Sequence, residues 1–124
     1  MKWGNKYHNE KVLNEDGKFD SKYEYQEWCR LKVLERGKVI SELRRQVPFD
    51  LIPTINTSAG TLSKIRYVAD FVYKEGNRWC IYESKGYKTG EYNLKKRLLI
   101  YKYVINGDYV FIECSKNKKT IYQK

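Results

Sequence analysis

The chain has 124 residues, enough for one compact domain with a real core and too few for two. Lys and Arg number 25 against 15 Asp and Glu, giving a formal net charge of +10 and a pI near 9.5, so a polyanion is the expected partner. There is no long apolar run or cleavable leader, and the N-terminus Met1-Lys2-Trp3-Gly4-Asn5-Lys6 is polar and basic; nucleic acid, not membrane, is therefore expected. Cys29, Cys80 and Cys114 are odd in number, far apart and set in apolar stretches, without a CxxC. They read as reduced core residues of a cytoplasmic protein, which excludes a zinc ribbon and a redox motif. His8 is the only histidine and lies in a polar segment, which argues against a Ser-His or Cys-His nucleophile.

In chain order, the first element is a short hairpin from Lys11 to Phe19, turning through Asn14-Glu15-Asp16-Gly17. A helix follows. Ser21-Lys22-Tyr23-Glu24 fits a capping box, and Gly37 stops the helix after Arg36. Glu24, Trp28 and Leu31 fall on one stripe, flanked by Tyr25, Cys29 and Leu34, so an acid is aligned with the apolar face. Val39 to Leu43 begins one strand and Gln46 to Ile52 a second, with Pro48 marking an edge or a bulge. Pro53 to Lys64 is small and polar and reads as a loop.

Next come two strands, Arg66 to Tyr73 and Trp79 to Lys85, joined by Lys74-Glu75-Gly76-Asn77-Arg78 with Gly76-Asn77 as the turn. If Glu75 pairs with Arg78, Asp70 faces Glu83 and Val68 faces Lys85, on the face of Val72 and Ile81. Opposed carboxylates roughly 5 Å apart repel and weaken a sheet, and a cation between them relieves the cost. A helix is expected from Glu91 to Val104, with Leu94, Leu98 and Tyr101 as its apolar stripe and Lys95, Lys96, Arg97 and Lys102 as its charge. Asn106-Gly107 turns into a strand from Asp108 to Cys114, and residues 116–124 read as a frayed basic tail. The result is a single α/β domain over residues 1–124, with a mixed central sheet flanked by helices.

Asp70 followed by Glu83-Ser84-Lys85 resembles the D…(D/E)xK signature of the PD-(D/E)XK, restriction-endonuclease-like nucleases. Four further segments resemble one group within it: Phe19-Asp20-Ser21-Lys22-x-Glu24; Gln46 ahead of Phe49 and Leu51-Ile52-Pro53; Tyr67-x-Ala69-Asp70-Phe71; and Lys85-Gly86 before a basic helix. That group is a set of small phage-encoded endonucleases long catalogued as a domain of unknown function, and the likeness runs from about Asn5 to Cys114. It departs at Ala69, where the superfamily name advertises Pro, and Ser84 fills the variable position.

The resemblance implies a restriction-endonuclease-like core and a Mg²⁺- or Mn²⁺-dependent endonuclease acting on DNA in the cytoplasm of a bacterial host. Asp70, Glu83 and the Ser84 carbonyl would hold the metal, a set of hard oxygen donors suited to Mg²⁺. Lys85 would orient or deprotonate the attacking water. Glu24 would reach the site through water or a second metal, as in the phage junction-resolving nucleases, and Gln46 would support it. A chain this short leaves little room for a recognition module, which favours branched, junction or flap DNA over a specific sequence. A homodimer would let two sites address two strands.

Each residue also has a plainer reading. Glu24 at the third helical position needs no catalysis to explain it. Asp70 and Glu83 could lie on a solvated sheet face, and Lys22, Lys88, Lys95, Lys96, Arg97 and Lys102 could be a wet helix face instead of a phosphate-tracking surface. Tyr87 and Tyr92 are core residues or stacking platforms for unpaired bases. The rival functions are a catalytically silent DNA-binding protein on the same fold and an interaction protein using its basic face.

Overall fold

The computed structural model describes residues 12–14, 17–84 and 89–124, the first three through their backbone alone. Strands β1 (Val12–Asn14) and β2 (Gly17–Phe19) form the expected hairpin, with Asn14 opposite Gly17. Helix α1 (Lys22–Arg36) starts where Ser21 Oγ accepts the Glu24 N–H at 3.1 Å. Leu31 and Glu24 are buried on its inner stripe, and Trp28 and Leu34 pack beside them. Gly37 ends the helix through its N–H to the Val33 carbonyl, but Lys38 takes the left-handed turn, with φ +64°. A left-handed Cβ residue carries a penalty that glycine escapes. Lys38→Gly is therefore expected to stabilise the protein by about 1 kcal/mol, read as a shift of the urea midpoint at constant slope.

The main sheet has five strands in the order β3 (Ser41–Ile52), β6 (Ile65–Glu75), β7 (Arg78–Ser84), β8 (Tyr109–Cys114) and β9 (Lys119–Tyr122). Only β7 and β8 run parallel, so the sheet is mixed. A parallel pair needs a crossover. Here it is helix α2 (Gly90–Leu99), continued by a π-helical turn over Ile100–Ile105. One core cluster, including Phe49, Tyr67, Ile81, Leu99 and Phe111, lies under α2; the other, including Leu31, Phe71, Tyr73, Tyr82 and Ile112, lies under α1. Among the described residues no helix is long and apolar enough to cross a membrane.

Several expectations are corrected. The two strands expected between residues 39 and 52 are one, at the sheet edge where Pro48 is tolerated. The expected loop 53–64 contains a small exposed hairpin, β4 (Ile55–Thr57) with β5 (Gly60–Leu62), whose tip is tied by the Thr57 hydroxyl to Gly60 O and Ala59 N. The tail read as frayed carries β9, because Tyr122 packs on Phe111. On the second helix, Leu94 and Tyr101 are exposed, while Tyr92, Leu99 and Val104 are buried. The inward stripe includes the half-buried Lys96, a charged residue that disguised it, and the π-turn shifts the phase after Leu99.

The turn at Gly76 (φ +63°) sets the expected register, with Glu75 opposite Arg78 and Phe71 opposite Tyr82. The expected faces do not follow, because β3 and β6 both change sides midway. Leu43 packs in the α1-side cluster, whereas Val47, Phe49 and Leu51 belong to the α2 side. Likewise Tyr67 and Ala69 face α2, but Phe71 and Tyr73 face α1. Strict alternation would keep each set on one face. Arg45 is opposite Phe71 and Val47 opposite Ala69, so both reversals fall on one rung, Gln46 with Asp70. Gln46 makes its reversal through φ +56°. Asp70 therefore sits with Phe71 on the α1 side, not with Val72 and Ile81, and Val68 is 51% exposed instead of buried.

Candidate active site

Two backbone reversals on one rung act like a β-bulge, aiming polar side chains where alternation would not. From β3, Gln46 Nε2 donates to Glu24 Oε2 at 3.1 Å. From β6, Asp70 Oδ2 accepts from both the Ser84 N–H and the Ser84 hydroxyl, each at 3.0 Å. A side chain here takes the N–H that a continuing ladder would give to backbone, so the hairpin strands part at Asp70. Glu24 Oε1 accepts the Asp20 N–H at 3.0 Å. Glu24 thus serves as both a helix cap and a member of this cluster.

Glu24 is only 2% exposed. Burial, followed by the nearby Asp70 charge, pushes its carboxyl up to about 7, against the pull of the Asp20 N–H and the Arg45 guanidinium. Arg45 lies over the Phe19 ring at 3.8 Å. The sign for stability follows directly. Between about 4.5 and about 7 the folded chain holds a proton that the unfolded chain has lost, so stability falls as pH rises through that window. A displacement of this size is worth about 3 kcal/mol. Glu24→Gln, which keeps an acceptor for Asp20, is expected to flatten this slope. Parallel urea stabilities at pH 4.5 and pH 8 for both proteins check it; equal slopes would refute it.

Glu83 engages a different set. It is 2% exposed on the α2 side, and its Oε1 accepts from the Tyr67 hydroxyl at 2.7 Å. A cleft of about 350 Å³ opens beside it, lined by Tyr67, Val68, Thr89, Tyr92 and Lys95 among others. The structure therefore gathers Glu24, Gln46, Asp70 and Ser84 into one cluster and holds Glu83 by Tyr67. Lys85, Tyr87 and Lys88 lie outside the described residues, as does His8.

The basic residues divide. Lys22 and Arg97 are exposed. Lys95 is half-buried and pairs with Glu91 at 3.1 Å, and Lys102 donates to the Asp50 carbonyl at 2.9 Å. Lys96 is corrected from a surface cation to a half-buried one, 16% exposed and bound to Glu113. Tyr92 is likewise a core residue, not a stacking platform, with its hydroxyl on Glu113. Sequence reasoning missed Tyr67 and Glu113. A lone acid within Val110-Phe111-Ile112-Glu113-Cys114 was the available signal for the latter.

A metal can be tested against the donors. Among the described residues no group of three or more His, Cys, Asp or Glu side chains stands ready to hold an ion. The donors are nevertheless hard oxygens of the kind Mg²⁺ takes, Asp70 and the Ser84 carbonyl in the α1-side cluster and Glu83 on the α2 side, and Mg²⁺ binds through few protein ligands and keeps its waters. The crowding of Glu24 against Asp70 adds negative charge that a cation would offset.

Fold and site together define a mixed α/β protein with a carboxylate cluster at a kinked sheet rung. The chain belongs to the family described as "Protein of unknown function (DUF1064)", whose model matches residues 4–119. No curated protein matches it. A solved structure titled "Crystal structure of SSO0001" aligns with TM-score 0.41 and 16% identity. The alignment covers 76% of this chain but 46% of that one, and the likeness is too slight to inform fold or function.

Proposed function

We propose that the chain is a Mg²⁺- or Mn²⁺-dependent endodeoxyribonuclease of the PD-(D/E)XK kind, built on a restriction-endonuclease-like core. The observation that carries this reading is the convergence of Glu24, Gln46, Asp70 and Ser84 at the shared kink, from four separate elements that each contribute a segment of the resemblance. Asp70, Glu83 and the Ser84 carbonyl would hold the ion, which supplies Lewis-acid stabilisation of charge on the phosphate. Glu24 holds or releases a proton near neutrality and so adjusts the charge beside Asp70. Gln46 fixes the direction of the Glu24 carboxylate. Lys85, by the resemblance, orients the attacking water.

The net charge of +10 supports a nucleic-acid substrate. Branched, junction or flap DNA is the proposed substrate class, and processing or recombination of phage DNA the proposed setting. Purified protein with Mg²⁺ or Mn²⁺, on labelled linear duplex, single strand, flap and four-way junction, is the test. Cleavage that stops on metal removal supports the nuclease. Salt-sensitive DNA binding with no cleavage in any lane would replace it with the catalytically silent binding protein.

A further inference from the structure

Between β3 and β6 the chain leaves the sheet. Residues 53–66 are all exposed, and neither core cluster includes any of them. Here β4 and β5 pair Ile55 with Leu62, Asn56 with Thr61 and Thr57 with Gly60. A lone hairpin with strands this short is marginal in water, and this one adds nothing to either core. It is nonetheless braced from within. The Thr57 hydroxyl donates to the Gly60 carbonyl at 2.7 Å and accepts the Ala59 N–H at 3.1 Å. The Thr61 hydroxyl donates to Asn56 Oδ1 at 3.0 Å. Alternation puts the Asn56–Thr61 pair on one face and Ile55 with Leu62 on the other, and those two apolar side chains are exposed.

Charge and size indicate what such a ribbon fits. Residues 53–66 contain no Asp or Glu, and residues 55–62 carry no charged side chain. The cations Lys64 and Arg66 stand at the root, the latter paired with Asp50. An acid-free projection on a chain of net charge +10 suits a polyanion. The major groove of duplex DNA, about 12 Å wide, admits a two-stranded ribbon. Arms that read the minor groove do so with inserted Arg or Lys, which the ribbon from 55 to 62 lacks. In the major groove an Asn amide matches the edge of adenine, and Thr or an aliphatic side chain meets the thymine methyl. Along β6, Ile65 at the root stands about 17 Å from Asp70, roughly half a turn of B-DNA. Arg66 and Val68, between them, line the cleft beside Glu83.

We infer that the β4–β5 hairpin is an arm that enters the major groove of duplex DNA beside the cleavage site. This rests on the reading of DNA as the substrate.

The experiment measures fluorescence anisotropy of labelled duplex, four-way junction and single strand in EDTA, so that neither metal nor cleavage enters. An armless variant joins Thr54 to Ser63 through Asn-Gly, and a thermal melt accompanies it. It is expected to bind duplex and junction about 10-fold more weakly and single strand as before. Because residues 55–62 are uncharged, the dependence of affinity on salt should keep its slope. Protection of guanine N7 from dimethyl sulfate should disappear with the arm. Ala59→Asp keeps the hairpin, places an anion at its exposed tip and should weaken duplex binding too; it carries the test if the armless chain does not fold. Unchanged duplex affinity in either folded variant overturns the inference. So does an equal loss on single strand, protection of adenine N3 in place of guanine N7, or a wild type that binds no DNA. Sedimentation without DNA is the last arm: a dimer that becomes a monomer without the hairpin makes it a contact between copies and overturns the inference. Cleavage by wild type with duplex binding independent of the arm defeats this inference alone. Arm-dependent binding with no cleavage in Mg²⁺ or Mn²⁺ defeats the nuclease reading alone.

Discussion

Asp70→Asn is expected to lower the proposed metal-dependent DNA cleavage by about 10³-fold or more, equivalent to roughly 4 kcal/mol of transition-state stabilisation, while leaving the fold intact. Asparagine retains an amide oxygen for the Ser84 N–H and hydroxyl, so the parted hairpin keeps its brace. It loses the charge that would hold a cation and that presses on Glu24. Relief of that repulsion should leave the variant at least as stable as wild type near neutral pH, a trade common where function concentrates like charges. A cleavage assay and a urea titration on the same preparation decide the matter. Lost activity with unchanged or raised stability marks Asp70 as functional; lost stability with retained activity would mark it as a structural acceptor.

Phe71→Ala should cost about 4 kcal/mol of stability. The ring is fully buried, stacks on Trp28 at 5.8 Å with 16° between planes, and lies 6.0 Å from Tyr82. It is also the first residue after the reversal in β6, so its packing under α1 pins Asp70 on that side. Val68→Ala, two residues before Asp70, should change stability by about 0.5 kcal/mol or less, because Val68 is 51% exposed. Chemical denaturation of both variants tests the contrast. Equal losses would mean that the strand does not change faces at Asp70.

The pattern of this contrast shows what could be read from the sequence. The capped helix with Glu24 on its inner stripe, the register of the β6–β7 hairpin and the edge position of Pro48 were readable because each is set by local chemistry: a cap, a turn glycine, a missing N–H. The faces around Asp70 were not. Period-two alternation holds only while the backbone stays extended, and Gln46, a residue with no bias toward positive φ, gives no warning of its reversal. The α2 stripe was not legible because Lys96 is held inward by a partner 17 positions away, which no local window contains. The candidate site was therefore visible as a set of residues. Its division, with Asp70 joined to Glu24 and Glu83 joined to Tyr67, needed the tertiary structure.

The outer strand β3 has one further consequence. An edge strand offers backbone groups to any passing chain and can seed the stacking of molecules into aggregates. In this protein Pro48 withholds an N–H, and the Asp50 carbonyl is already taken by Lys102 and by the Tyr103 hydroxyl. Arg44 and Asp50 are exposed polar residues along the same strand. The crossover that makes the parallel pair possible thus also stands guard over the far side of the sheet, keeping the longest strand in the molecule from recruiting a neighbour.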